Sequence, residues 1–239
     1  MGRIGFRGSK REKDKGERIK DKNSLYVRLI SLLFRLLYYE MAWTYDAVSW
    51  VVSLGDWRRW QFATLDYVKG KSILELGHGT GHVLKALQDK GLKPMGLDLS
   101  PQMGFLAHKR TKAHLVRGSA ESIPYPSNTF DTIISTFPTP YIISETTRSE
   151  IFRVLKPKGR LVIVPSGWLK GQSVLVKAIE LAYTITGQGG FDSGETWDDW
   201  TQTLRASGFL TSVNTVSFER SGATVILAIK PEESVQFSP

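Results

Sequence analysis

From Lys71 onward the chain alternates short apolar runs with amphipathic stretches of helical length. Apolar runs at Ser72–Leu76, Lys93–Leu99, Ala113–Arg117, Phe130–Phe137 and Arg160–Pro165 predict strands, and His82–Lys90, Pro101–Arg110 and Glu145–Leu155 predict helices between them. Strand–helix alternation argues for a parallel sheet covered on both faces. The C-terminal end differs. "FLTSVNTVSFERSGATVILAIKP" reads as two strands joined by a tight turn at Ser221–Gly222, an antiparallel hairpin at the edge of the sheet. Upstream, "TYDAVSWVVSLGDWRRWQFATLDYVKG" is aromatic-rich and reads as helical on both sides of Gly55. The expected class is α/β: a mostly parallel, seven-stranded sheet with an antiparallel C-terminal hairpin and an N-terminal helical lid.

The segment before the lid is the most apolar in the chain. In "SLYVRLISLLFRLLYYEMAW", Ser24–Trp43, the residues Arg28, Arg35 and Glu40 interrupt the run. A charge at the centre of a span costs roughly 2.5–3.5 kcal/mol, which argues against a transmembrane helix. As a helix, Ser24, Arg28, Ser31, Arg35, Tyr38 or Tyr39 and Ala42 form a thin stripe on a surface otherwise mostly of Leu, Ile, Phe, Val and Met. That pattern suits a helix lying in a membrane interface and equally suits one packed on the domain. Residues 1–22 hold nine Lys/Arg against four Asp/Glu, so the tail carries +5 of the formal net charge of +9. Few large apolar residues occur there, and the tail is expected to be disordered. The acids interspersed among its bases argue against nucleic acid as a partner; the tail is equally read as a solubilising one without a partner, or as part of residues 1–43 meeting an anionic membrane surface. The expected organisation is a tail over 1–23, the apolar helix and lid over 24–70, one domain over 71–231 and a short tail over 232–239. The expected location is cytoplasmic, peripheral on the inner face of the membrane if the helix binds lipid. No cysteine is present among 239 residues, which excludes disulfides and thiolate chemistry.

The stretch "ILELGHGTGH", Ile73–His82, carries the chemistry. Glycines that follow a strand let backbone approach a nucleotide closely. Dinucleotide loops use G-x-G-x-x-G, but Gly77, Gly79 and Gly81 give G-x-G-x-G, and His82 stands where the dehydrogenase pattern wants its third glycine. A pyrophosphate also favours an uncluttered helix N-terminus, whereas Glu75 puts a carboxylate at the end of the strand. An acid there suits a cationic group such as an α-ammonium. The next strand ends in Asp98, placed to accept hydrogen bonds from a ribose. S-adenosylmethionine has both features.

These motifs, in order and at this spacing, resemble the class I methyltransferases, specifically the methyltransferase 11 group that includes the ubiquinone/menaquinone-biosynthesis enzymes. "LELGHGTGH" is similar to the group's first motif, "GLDLSPQM" to its ribose-binding segment, and "IFRVLKPKGRLVIV" to its consensus for a later helix and strand. "YDAVSWVVSLGDWRRW" resembles the quinone enzymes' segment beginning Y-D-x-x-N. The resemblance runs from about Trp43 to Pro231 and implies a Rossmann-like fold with S-adenosyl-L-methionine as cofactor. It implies that Glu75, Gly77, Gly79 and Gly81 shape the methionine end of the pocket. Asp98 would bind the ribose, Leu99 and Met103 the adenine, and Ser119 and Ala120 the adenine edge. Phe137 would end the fourth strand facing the reacting methyl, and Tyr45 would close over the cofactor from the lid. Ser119 departs from the group's usual aspartate.

The acceptor is less marked. Where the quinone enzymes have an F-G-L-R-N-V-like stretch, this chain has "TFPTPYI", without the arginine, and that stretch is not the N-P-P-Y of base-amino methyltransferases either. The apolar helix and the tryptophans Trp43, Trp50, Trp57 and Trp60 point to a small hydrophobic acceptor: a quinone precursor, a lipid or an aromatic compound. The alternative for those tryptophans is packing of the lid on the core. His78 and Tyr141 are the candidates for a catalytic or orienting group. His78 and His82 lack the glutamate of H-E-x-x-H, so no metal is expected. "ETWDDW" reads as a helix start, with Thr196 as cap, Asp198 and Asp199 at its positive end, and Trp197, Trp200 and Leu204 on its buried face. Gly187–Gly194 is a candidate substrate-side loop. Two other readings remain: a methyltransferase-like protein that binds cofactor without turnover, and an NAD-dependent oxidoreductase. Nothing in the sequence sets an oligomeric state.

Overall fold

The computed structural model describes residues 45–170 and 197–232. The tail, the apolar segment 24–43, the glycine-rich loop 187–194 and the cap Thr196 lie outside the described residues. Among the described residues eight strands form one sheet: β1 (Ile73–Leu76), β2 (Met95–Asp98), β3 (His114–Arg117), β4 (Phe130–Thr136), β5 (Leu155–Val164), β6 (Gly167–Leu169), β7 (Leu210–Ser217) and β8 (Ser221–Ile229). The described helices are α1 (Tyr45–Val52), α2 (Trp57–Phe62), α3 (His82–Asp89), α4 (Pro101–Arg110), α5 (Glu145–Val154) and α6 (Trp197–Ala206). Two 3-10 segments, Ala63–Tyr67 and Pro140–Ile143, follow α2 and β4.

The parallel half runs β3-β2-β1-β4-β5. β8 then inserts antiparallel, flanked by β5 and β6 on one side and β7 on the other. The sequence pattern predicts seven strands; β6 is the additional one, and it continues the row of β5 along the same flank of β8. Helices cover both faces and the connections cross over, which is the Rossmann-like arrangement. The hairpin lies at the edge of the sheet as expected, with β7 outermost among the described strands and β8, inside it, buried along most of its length. Its turn falls earlier than expected. The turn comprises the residues after Ser217, closed by a hydrogen bond from the Phe218 N–H to the Ser221 carbonyl at 2.9 Å, so Ser221 and Gly222 already belong to β8. Gly222 serves close approach: a Cβ there would stand 2.4 Å from the Trp168 indole on the neighbouring strand.

Most strand ends shift by a residue or two from their predicted limits, but β5 begins at Leu155, five residues before the expected Arg160, because Leu155 pairs with Phe130 of β4. β4 stops at Thr136 because Phe137 turns to φ +50°, out of the extended region.

Alternation along the strands divides the core. Leu74, Leu76, Ile133, Leu161 and Ile163 face Ile151 and Val154 of α5 and Trp200 and Leu204 of α6. On the other face, Ile73 and Ile134 meet Val83 and Leu87 of α3, with Phe62, Leu65 and Val68 packed against them. Val162, Val164 and Val225 meet Trp60 and Ala63. The 57–68 stretch is therefore a covering layer of the sheet. Full burial of a side chain such as Ile73 or Leu87 contributes about 1.5–3 kcal/mol apiece. Trp57 and Trp60 pack inward, as the core-packing alternative holds, whereas Trp50 is exposed. Trp200 and Leu204 are buried and Trp197 packs beside them, as the pattern of "ETWDDW" predicted.

Candidate functional site

The loop between β1 and α3 leaves the sheet at the carboxyl end of its parallel half, where ligands of open α/β sheets bind. Gly77, Gly79 and Gly81 all have positive φ, at 67°, 50° and 81°, which is why residues with a side chain are disfavoured at each. The Gly77 N–H donates to the Leu97 carbonyl at 2.8 Å and pins the loop to β2. A Cβ on Gly79 would meet nothing within 4 Å, so the crest of the loop faces open space. A Cβ on Gly81 would stand 3.0 Å from the Ala107 side chain, so this glycine lets α3 and α4 approach.

Two acids lie beneath the loop. Asp98 ends β2; its Oδ2 accepts from the Gly79 N–H at 2.9 Å and its Oδ1 from the Ser100 N–H at 2.8 Å. Glu75 on β1 is 1% exposed, and its Oε2 is buried without a hydrogen-bond partner. Burial first and the Asp98 charge second push its carboxyl well above the usual carboxylate range, against a weaker opposing contact from the Leu84 backbone. An acid held this way is stabilised by whatever cation reaches it.

The Tyr141 hydroxyl closes the space from the other side, next to Gly77 and 3.5 Å from Ser135 Oγ. Burial pushes its phenol up to about 12; the Ser135 contact opposes this, while Asp98 and Glu75 add to it. Tyr141 is thus a hydrogen-bond donor through the neutral range. Ser135 itself donates to the Leu76 carbonyl at 3.0 Å.

The remaining predicted residues spread around this centre. His78 is buried with its Nδ1 2.9 Å from the Gly79 carbonyl and its ring beside Gly96. Leu99 is exposed at the rim, whereas Met103 is fully buried behind it, its N–H donating to Ser100 Oγ at the start of α4. Ser119 Oγ accepts from the Glu121 N–H at 3.2 Å, and Ala120 packs against the core. Phe137 stacks on Trp57 with ring centroids 3.9 Å apart, and its N–H donates to the Val164 carbonyl at 2.7 Å. This pair joins the lid layer to the end of β4. Tyr45 opens α1, but its side chain is outside the described residues. Among the described residues, no three His, Asp or Glu are gathered to hold a metal ion.

One cluster escaped the sequence reading. Asp46, beside the Tyr45 that drew attention in "YD", accepts from Thr80 Oγ1 at 2.9 Å and Arg110 Nη2 at 2.8 Å, and lies 3.1 Å from His82 Nε2. Arg110 also donates to the Thr80 carbonyl. Burial raises the Asp46 carboxyl, but His82, Thr80 and Arg110 outweigh it and hold the group well below the usual carboxylate range. The clasp ties α1 to the glycine loop, to α3 and to the end of α4. Its partners lie 34 to 64 residues away, and no local pattern marks such a set.

The Methyltransferase domain family matches residues 74–163, which hold Glu75, the glycine loop, Asp98 and Tyr141. A demethylmenaquinone methyltransferase of Symbiobacterium thermophilum is 34% identical over 142 residues, 54% of this chain and 57% of that protein. The chain thus spans little more than half the length of that relative. A SAM-dependent methyltransferase of Thermotoga maritima shares the fold over 87% of this chain and 98% of its own, with a TM-score of 0.56 and 18% identity. A phosphoethanolamine N-methyltransferase of Haemonchus contortus, solved with S-adenosylhomocysteine, shares it over 74% of this chain and 53% of its own, with a TM-score of 0.54 and 18% identity. Residues 74–163 are thus similar to the Methyltransferase domain family, and the parallel sheet that presents the glycine loop and its two acids has the Rossmann-like fold of the methyltransferases named above.

Proposed function

We propose that the protein is an S-adenosylmethionine-dependent methyltransferase acting on a small hydrophobic acceptor drawn from a membrane surface. The observation that carries this reading is the buried Glu75 carboxyl, whose Oε2 lacks a hydrogen-bond partner beneath the glycine loop. An α-ammonium supplies the cation it lacks. Asp98, at the end of β2, would accept from ribose hydroxyls while its loop contacts hold it in place. Bound there, the cofactor would supply a sulfonium-activated methyl for in-line displacement, a reaction that needs chiefly alignment. Tyr141 offers a donor beside Gly77, and the Trp57–Phe137 stack walls the end of β4. Leu99 would border the adenine with Met103 behind it, Ser119 and Ala120 its edge; Tyr45 would cover the pocket from α1.

The acceptor class draws on the apolar segment 24–43 and on the demethylmenaquinone methyltransferase relative. The location that goes with it is the cytoplasmic face of a membrane, met peripherally; among the described residues no helix is long and apolar enough to cross one. A second reading, binding of cofactor without turnover, is favoured by the "TFPTPYI" stretch that lacks the quinone enzymes' arginine and by Ser119.

Calorimetric titration with S-adenosylmethionine, S-adenosylhomocysteine and NAD, on the wild type and on Asp98→Ala, tests the cofactor. Saturable binding of both adenosyl ligands, weakened at least about tenfold in the variant, is expected, since two or more charge-assisted hydrogen bonds are lost. Binding of NAD alone would overturn the reading. Methyl transfer from labelled cofactor into quinone precursors and membrane-lipid extracts then separates the enzyme from the silent binder.

A further inference from the structure

The corner between α1 and α2 is built inside out. A helix on a water-soluble domain turns its apolar side inward and its polar side outward. Here Ser49, Ser53 and Asp56 are buried, while Trp50, Val51 and Leu54 are 60%, 58% and 40% exposed. The buried polar groups are matched: Ser53 Oγ donates to the Ser49 carbonyl at 2.6 Å and accepts from the Trp57 N–H at 2.9 Å, and Asp56 pairs with Arg59 at 3.0 Å. Among the described residues of the corner, Ser49, Ser53 and Asp56 thus take the inward side, and Trp50, Val51 and Leu54 the outward one. Gly55, with φ +90°, sits against the Trp50 indole, so the turn and the tryptophan form one structure.

We infer that this corner is a docking surface for an anionic lipid bilayer, with Trp50, Val51 and Leu54 entering the interface and Arg58 and Arg59 meeting headgroups. The charge is complementary: both arginines are exposed beside the apolar tip, and the chain brings a further +5 in residues 1–22. The chain that precedes α1 joins it at Tyr45, and its Ser24–Trp43 segment has the composition of an interfacial helix. Tryptophan with flanking arginine is the pairing that membrane interfaces favour. The corner is wired to the site at both ends. Asp46 of α1 clasps the glycine loop, and Trp57 of α2 stacks on Phe137 at the end of β4. Docking would thus set the mouth of the site against the bilayer. For its purpose, though not for its geometry, this inference rests on the membrane-borne acceptor proposed above.

The test is flotation of the full chain with vesicles of phosphatidylcholine and phosphatidylglycerol in equal parts, against vesicles of phosphatidylcholine alone, for the wild type and Trp50→Ser/Leu54→Asn. Asparagine is chosen because Leu54 has φ +50°, which asparagine tolerates. Binding to the anionic vesicles is expected to be salt-sensitive and to fall at least about tenfold in the variant, as the loss of two interfacial apolar side chains requires. Quenching by brominated lipid, clear in the wild type, should drop in the variant. Equal flotation of the two proteins overturns the inference. So does a Trp50 contribution to fluorescence that is already blue-shifted without vesicles, which would assign the corner to the chain's own preceding segment. A two-chain species that falls to one chain in the variant would assign it to a second copy. Titration of the same variant with S-adenosylhomocysteine keeps the two proposals apart. Retained ligand binding with unchanged flotation removes only the docking surface; lipid binding without any adenosyl binding removes only the methyltransferase reading.

Discussion

Glu75 shows how a single residue can oppose stability in favour of a site. Its carboxyl is raised by burial and by Asp98. An unfolded glutamate ionises near pH 4.3, so above that value the unfolded state releases a proton that the folded state retains. Stability is then full below the unfolded value and lost as pH rises towards the folded one. Glu75→Gln is expected to remove this slope, so the variant should outlast the wild type in urea at pH 8 while losing S-adenosylhomocysteine affinity at least about tenfold. Equal pH slopes in the two proteins would contradict the account. A cation seated on Glu75 also expels its proton, so titrations in buffers of different ionisation enthalpy should register proton release. Glu75, the glycines and Asp98 were all legible in the sequence, because an acid and positive-φ residues at strand ends are local features. The lone Oε2 and the phenol of Tyr141 beside Gly77 were not, because they depend on what packs around them.

Among the elements, the junction of α3 and α4 depends on Gly81. With φ +81° and Ala107 atoms 3.0 and 3.2 Å from the position of a Cβ, Gly81→Ala combines backbone strain with overpacking. A loss of about 1–3 kcal/mol is expected in denaturant unfolding, together with weaker cofactor binding as α3 is pushed off. Close packing of helix on neighbour, the task dinucleotide loops give to their third glycine, thus falls here to Gly81. The Asp46 clasp acts between elements too. Its carboxyl is more than a third exposed, so Asp46→Asn should cost less than about 1 kcal/mol at neutral pH. The folded value lies below the unfolded one, so its contribution is present above about pH 4 and lost as pH falls. Thermal melts should accordingly show the wild type losing more than the variant between pH 5 and 2. The clasp should also matter more to ligand dissociation than to folding, since it holds α1 against the loop.

For the molecule as a whole, the order of strands and the facing of α1 decide how the site meets its surroundings. Strand–helix alternation and the glycine loop between β1 and α3 follow from periodicity and backbone conformation, which neighbouring residues specify, and the sequence alone determined them. It also determined the class of pocket, since acids at the ends of two successive strands need only local placement. The tertiary structure decided that β8 lies inside the sheet, because a strand's neighbours are chosen by the whole sheet, and that Gly222 makes room for Trp168 instead of forming a turn. It decided that Asp46, distant in sequence from Thr80, His82 and Arg110, holds them together. It also decided that the serines of the α1–α2 corner face inward and Trp50 outward, because the facing of a helix is set by what covers it, and that partner is nowhere written in the helix's own pattern.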